Sequence, residues 1–240
     1  MPKIFYCTIP FQAALRRWGR RTLTLFVLMA GLALALDRAA QEAVLKFAHD
    51  QYGAPAAGRV KGWFTLMQLA GQVGEKEKLK LVNDYFNRIP NISDEAHWAS
   101  ADYWATPLEL IGTLGGDCED FALAKYFTLR ELGVPDERLR LTYVRAYLSV
   151  TREMQRHMVL TYHPAPQADP LVLDNLVNTI STAAERKDLA PTYSFNGAKL
   201  WAAKQRGNGR IGETEPANLW ELLRAQIPLN VLAPETPAGR

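Results

Sequence analysis

Gly115-Gly116-Asp117-Cys118-Glu119-Asp120 is the segment of this 240-residue chain best suited to covalent chemistry. Two glycines permit a tight backbone turn, and the residues that follow have helical spacing, so Cys118 falls at a helix N-terminus. Backbone N–H groups there favour negative charge, which stabilises a thiolate and makes the thiol nucleophilic. The same first-turn N–H groups can donate to an oxyanion formed on an attacked carbonyl. The alternative is a buried cysteine at an ordinary helix start, and it sits poorly with polar, glycine-rich neighbours. The other cysteine, Cys7, lies near the N-terminus within an apparent leader, so a processed chain keeps one unpaired thiol.

Three carboxylates surround that thiol. Asp117, Glu119 and Asp120 oppose a thiolate by like-charge repulsion. Acids in a first helical turn also complement the helix dipole, with Asp117 as the N-cap. Three carboxylates in four residues form a hard-oxygen cluster of the kind calcium takes, and a bound cation would cancel the repulsion. Both readings stand at this point.

A cysteine nucleophile needs a base, and the base needs an orienting group. After Cys118 the imidazoles are His157 and His163. His157 heads the apolar strand-like run His157–Tyr162, from which it can reach the helix terminus; His163 precedes Pro164 at that run's end and reads as solvated. Asp174 supplies the third group. An acid embedded in Leu171-Val172-Leu173-Asp174-Asn175 is costly to bury unless paired, and an imidazole N–H is a suitable partner. A core aspartate satisfied by backbone donors is the competing account.

The elements that must position these residues follow from periodicity. Helical patterns cover Gln41–Gln51, Gly62–Leu69 and Glu75–Arg88, the last with Leu79, Val82, Tyr85 and Phe86 on one face. Gly53-Ala54-Pro55 reads as a breaker, and Asn91–Leu114 as a structured, aromatic-rich connector containing Trp104. The central helix runs from Asp117 or Cys118 to Leu132, closed by Gly133 and Pro135. Strand patterns follow at Leu139–Leu148, His157–Tyr162 and Leu171–Leu176, with a short final helix expected at Gly197–Gln205 and a helical turn at Leu219–Leu223. Helices followed by antiparallel-looking strands argue an α+β fold.

Residues 1–36 hold Lys3, Arg16, Arg17, Arg20 and Arg21 and no acid, and an uncharged run from Thr22 to Leu36 follows the basic cluster. This is the pattern of an export signal, with Ala33-Leu34-Ala35 as a cleavage-type site; an uncleaved membrane anchor is the alternative. Removing its five basic residues from the 28 in the chain leaves 23 against 25 acids, so a basic nucleic-acid footprint disappears with the leader. The histidines and the single remaining cysteine have no zinc spacing.

Several blocks resemble the bacterial transglutaminase-like cysteine proteinases, and within them the LapG family of periplasmic proteases. In order they are Val82–Asn87, Asp102–Glu109, Gly116–Ala122, Ala124–Tyr126, His157–Leu160, Pro170–Leu176 and Tyr193–Gly197. The resemblance implies a papain-like, transglutaminase-type core, a central helix bearing the nucleophile packed on an antiparallel sheet, with the triad Cys118, His157 and Asp174. It implies calcium dependence, with Asp117, Glu119 and Asp120 as ligands. It further implies a periplasmic endopeptidase that cleaves the N-terminal region of a large surface adhesin, so controlling biofilm attachment. An inner-membrane cyclic di-GMP receptor would sequester it. On this reading residues 1–36 are the signal, 37–206 the protease domain and 207–240 a tail of unassigned role. Two rival activities share these residues: a transglutaminase-like acyltransferase, and a calcium-dependent binding module without turnover. Trp104 is one candidate for a second oxyanion donor, beside the backbone N–H of Cys118.

Overall fold

The computed structural model describes residues 38–100 and 102–196 and the backbone of 200–202. Its contacts divide the chain into Met1–Val44 and Leu45–Arg240. In the first unit, residues 38–44 are helical. The expected leader, the tail and the turn at Leu219–Leu223 lie outside the described residues. Among the described residues no helix is long and apolar enough to cross a membrane.

In the second unit helical residues 45–52 (α1) are followed by α2 (Ala54–Ala70), α3 (Glu75–Phe86), α4 (Asp94–Trp98), α5 (Pro107–Thr113) and α6 (Cys118–Glu131). Six strands complete it: β1 (Leu139–Leu148), β2 (Glu153–Tyr162), β3 (Leu171–Leu173), β4 (Ser181–Thr182), β5 (Leu189–Phe195) and β6 (Leu200–Ala202). They form one antiparallel sheet in the order β4-β3-β2-β1-β5-β6. The α+β expectation holds, and α6 is the central helix.

Helix α6 is buried nearly all round, through Phe121, Leu123, Tyr126 and Leu129. It packs on β1 and β2 on one side and on α3 and α5 on the other. Its end is set locally. Gly133 has φ 81°, a conformation costly for residues with a Cβ, and the N–H of Val134 returns to the carbonyl of Leu129 at 3.0 Å. Alternation along the sheet puts Leu141, Met158 and Leu160 on one face, all buried, while Val144, Val159 and Val172 cluster on the other.

The aromatic connector is structured, as its composition suggests, and carries α4 and α5. Thr106, Pro107 and Glu109 start α5 with a capping box: Thr106 Oγ1 accepts from the Glu109 N–H at 3.2 Å, and Glu109 Oε2 accepts from the Thr106 N–H at 2.8 Å. Proline stands at the first helical turn, where no N–H is needed. Gly53 does mark a break, but α2 restarts at once at Ala54 rather than at Gly62.

The expected helix at Gly197–Gln205 is corrected in part. The backbone of Leu200–Ala202 is a strand, paired with Tyr193–Phe195 of β5. Local helix propensity there is weak beside the hydrogen bonds offered by an open sheet edge. Strand β3 stops at Leu173, short of the expected Leu176, because Asp174 leaves the ladder to serve other partners.

Since the capping box sets the approach to Gly115-Gly116, Thr106→Ala should cost about 1 kcal/mol of stability. Urea unfolding should show a lower midpoint with an unchanged slope; an unchanged midpoint would mean that α5 is held by its packing alone.

Candidate active site

Cys118 is the first residue of α6 and is half-buried. Gly116 makes this possible by allowing close approach. A Cβ there would lie 2.5 Å from Asp120 Oδ2 and 2.7 Å from Leu110 Cδ1. Asp117 occupies the N-cap, as expected, and its N–H donates to Asp120 Oδ2 at 3.2 Å. The other oxygen of Asp120 accepts from the Ala105 N–H at 2.6 Å, tying the aromatic connector to the helix start.

His157 and Asp174 meet as the sequence reading requires. His157 Nε2 lies 2.8 Å from Asp174 Oδ1, and both side chains are buried. Oδ1 also accepts the Leu176 N–H at 2.9 Å, and Oδ2 accepts from Arg186 Nη2 at 2.7 Å. The loop carrying Asp174 is anchored from α3's end, where Asn87 donates to the Asp174 carbonyl at 2.7 Å. Burial by itself would raise the Asp174 pKa. The hydrogen bond and charge of His157, the Leu176 N–H and Arg186 outweigh it and hold the carboxyl at about 2. With Nε2–H given to this carboxylate, Nδ1 is the ring nitrogen left to exchange a proton.

No hydrogen bond joins Cys118 to His157 among the described residues; the link to β2 runs through the backbone. The N–H of Met158, the residue after His157, is a hydrogen-bond partner of the thiol sulfur. The thiol donates instead to Glu119 Oε2 at 2.6 Å. Burial, the charge and hydrogen bond of Glu119 and the charge of Asp117 push the Cys118 thiol up, against the Met158 N–H.

The acidic cluster is larger than expected. Asp94, at the start of α4, joins Asp117 and Asp120, with one carboxylate oxygen of each within 4.8 Å of the others; Glu119 groups with Asp117 and Cys118. Asp94 Oδ2 accepts the Tyr103 N–H at 2.5 Å. Its Oδ1 and that of Asp117 are buried without a hydrogen-bond partner. Burial, then Glu119 and the other acids, push Asp117 up to about 8; burial first, against two N–H donors, pushes Asp120 to about 7. Orphaned hard oxygens and crowded negative charge are what a divalent cation would relieve, so the residues present fit one.

Two sequence candidates fall elsewhere. His163 is half-buried beside Thr161 Oγ1 at 3.3 Å, and burial, then Arg140, push it down to about 4. It is a neutral residue at the end of β2, not part of the pair with Asp174. The indole N–H of Trp104 donates to Asp102 Oδ1 at 2.9 Å, so it is engaged rather than presented to an oxyanion. Trp104 stacks on Phe195, 6.4 Å between ring centroids, and stands near Tyr143, which packs at 4.7 Å on Tyr193.

A family model described as bacterial transglutaminase-like cysteine proteinase, BTLCP, matches residues 65–195. The chain belongs to this family. Solved structures of Legionella pneumophila LapG are similar to it as well. The calcium-bound form is 39% identical, with a TM-score of 0.65, covering 77% of this chain and 97% of that one. The EGTA-treated form is 38% identical with the same TM-score, covering 77% and 96%. No curated protein sequence matches. Family membership makes the chain a cysteine protease of LapG-like fold.

The site carries a testable pH signature. Asp117 and Asp120 have folded pKa values raised above the unfolded ~3.9, so their contribution is fully present below that value and is lost as pH rises through about 7 and about 8. Asp174 runs the other way: its contribution is present above ~3.9 and lost as pH falls towards about 2. Chelated protein should therefore melt at lower temperature as pH is raised from roughly 6 to roughly 8.5, and calcium should recover most at the upper end. A melting temperature flat across that range, with or without calcium, would contradict this account of the cluster.

Proposed function

We propose that this chain is an exported, calcium-dependent cysteine endopeptidase with Cys118 as nucleophile, His157 as base and Asp174 as orienter. The observation that carries the proposal is the buried His157–Asp174 hydrogen bond on the strand whose next N–H reaches the Cys118 sulfur. A histidine with one nitrogen fixed on a carboxylate beside a helix-terminal thiol is the arrangement used for acyl transfer.

In this reading the thiol proton passes to His157 Nδ1 and the sulfur attacks the scissile carbonyl. The developing oxyanion is met by first-turn N–H groups of α6, that of Cys118 among them. His157 then gives its proton to the leaving amine, and later takes one from the water that releases the acyl group. Asp174 keeps the ring in one tautomer throughout.

Asp94, Asp117 and Asp120, with Glu119 beside them, would hold the calcium ion. Its charge would offset the carboxylates that now keep the thiol protonated, Glu119 above all. The calcium-bound LapG structure supports this reading.

For substrate and control we propose what the family resemblance implies. The substrate is the N-terminal region of a large surface adhesin, whose release governs biofilm attachment. The protease would act in the periplasm and be sequestered by an inner-membrane cyclic di-GMP receptor.

The test is incubation of the purified protein with such an adhesin fragment, with calcium or EGTA, beside Cys118→Ala, His157→Gln and Asp174→Asn. Mass spectrometry should show calcium-dependent shortening, lost by about 10³-fold or more in Cys118→Ala and His157→Gln. Cleavage by Cys118→Ala would refute the thiol mechanism. A gain in substrate mass with an added amine would assign the transglutaminase reaction instead.

A further inference from the structure

Asp174 has a second partner that the triad does not require. Arg186, in the turn between β4 and β5, is buried, and its Nη2 donates to Asp174 Oδ2 at 2.7 Å. The same guanidinium grips Asp188, from Nε to Oδ1 at 2.9 Å and from Nη2 to Oδ2 at 2.7 Å. Asp188 is partly exposed, and its carbonyl accepts the Tyr147 N–H of β1 at 2.8 Å. A hydrogen-bonded chain thus runs from the imidazole of His157 to the protein surface.

We propose that Arg186 is a positioning residue for this site: its guanidinium fixes the Asp174 carboxylate so that Oδ1 faces His157, and Asp188 fixes the guanidinium. The proposal rests on the reading of Cys118, His157 and Asp174 as a working protease site.

Three observations carry it. First, the carboxylate is divided between its two sides. Oδ1 serves His157 and the Leu176 N–H, and Oδ2 is bonded to Arg186, so loss of the guanidinium leaves one of the two oxygens unheld and the carboxylate less firmly fixed. Second, the turn does not need the arginine side chain to keep its shape. The Ala183 N–H donates to the Pro170 carbonyl at 2.8 Å, the Ala184 N–H to Asp169 Oδ2 at 3.0 Å, and the Thr182 N–H to Glu185 Oε2 at 2.9 Å. Third, Arg186 Nη1 is buried with no hydrogen-bond partner. A guanidinium held at that cost is poorly explained as a simple fastener, since an apolar side chain would fill the space more cheaply.

The charges around Asp174 come from every side. Lys125 of α6 is fully buried, and burial pushes its pKa down to about 7 against the charges of Asp174 and of Asp84 on α3. Arg186 and Asp188 come from the turn, and His157 from β2. Of the two cations, Arg186 is the one bonded to the carboxylate. Lys125 Nζ makes no hydrogen bond and acts by charge alone.

The test uses the full chain loaded with calcium and needs no substrate. Iodoacetamide at pH 7 is the probe, and peptide mass analysis separates alkylation of Cys118 from that of Cys7. In parallel, the low-field proton resonance of His157 Nε2–H is followed by NMR, assigned through its loss in His157→Gln. In Arg186→Gln we expect alkylation slowed about tenfold, the cost of one charge-assisted hydrogen bond, and the resonance lost or shifted. Arg186→Lys should restore most of both. Should Arg186→Gln not fold, Asp188→Asn carries the test, with a smaller slowing and a shifted resonance expected.

The outcomes separate cleanly. If His157→Gln is alkylated as fast as wild type, the protease reading fails and takes this proposal with it. If His157→Gln is slow but Arg186→Gln matches wild type with the resonance in place, the positioning role alone is overturned. Slow alkylation in both Arg186 variants with an unmoved resonance would also overturn it, because Arg186 would then act only on the fold.

Discussion

The site depends on how two groups of buried carboxylates are treated differently by their surroundings. Asp174 is surrounded by donors and positive charge, so burial strengthens its pairing and the group stays ionised. Asp94, Asp117 and Asp120 are buried among one another, so burial multiplies repulsion and pushes each of them up. The residue type is the same and the sign is opposite. The fold keeps the groups on different elements: α6 begins at the crowded cluster, while β2 and the loop after β3 hold the paired one.

That division has a structural cause in the sheet order. Strands β2 and β3 are neighbours, with Leu160 opposite Leu173, so the loop that leaves β3 brings Asp174 to His157 of β2. The turn between β4 and β5 then delivers Arg186 from the other side. At the helix end, the three acids come from α4 and the first turn of α6, joined by N–H groups of the connector. Strand β2 and the loop after β3 place the His157–Asp174 pair, and the connector ties Asp94 and Asp120 together through its N–H groups.

Much of this was legible in the sequence because the signals were local. Strand β1 has the bounds read from its alternation, Leu139–Leu148, and α6 ends where Gly133 and Pro135 say it must. Cys118, His157 and Asp174 were each conspicuous against their own neighbours: a thiol after glycines, an imidazole heading apolar residues and an acid inside them. What escaped had no local contrast. Asp94 reads as an ordinary first-turn acid of a short helix, and Arg186 as one charge in the polar run Glu185–Asp188. Their partners are more than ten residues away, so only the fold brings them to Asp117 and Asp174. The start of β2, Glu153–Arg156, is hidden for a related reason: its residues are exposed and lack strand patterning, yet they pair with Arg145–Leu148 at the end of β1. The Gly197–Gln205 expectation failed where a sheet edge overrode propensity.

The two carboxylate groups also divide the control of the thiol between them. Cys118 donates a hydrogen bond to Glu119, an acceptor that groups with the acidic cluster rather than with the His157–Asp174 pair. His157, meanwhile, is already oriented, because the bonds of Asp174 to Leu176 and Arg186 do not involve the cluster at all. On the proposed reading the base is held by its own partners while the thiol faces a carboxylate. Altering the charge balance around Glu119 and Asp117 would then change which base the thiol faces. On the same reading, placement of the acids on the thiol's side of the site is what would let a cation act on the thiol without being part of its proton transfers.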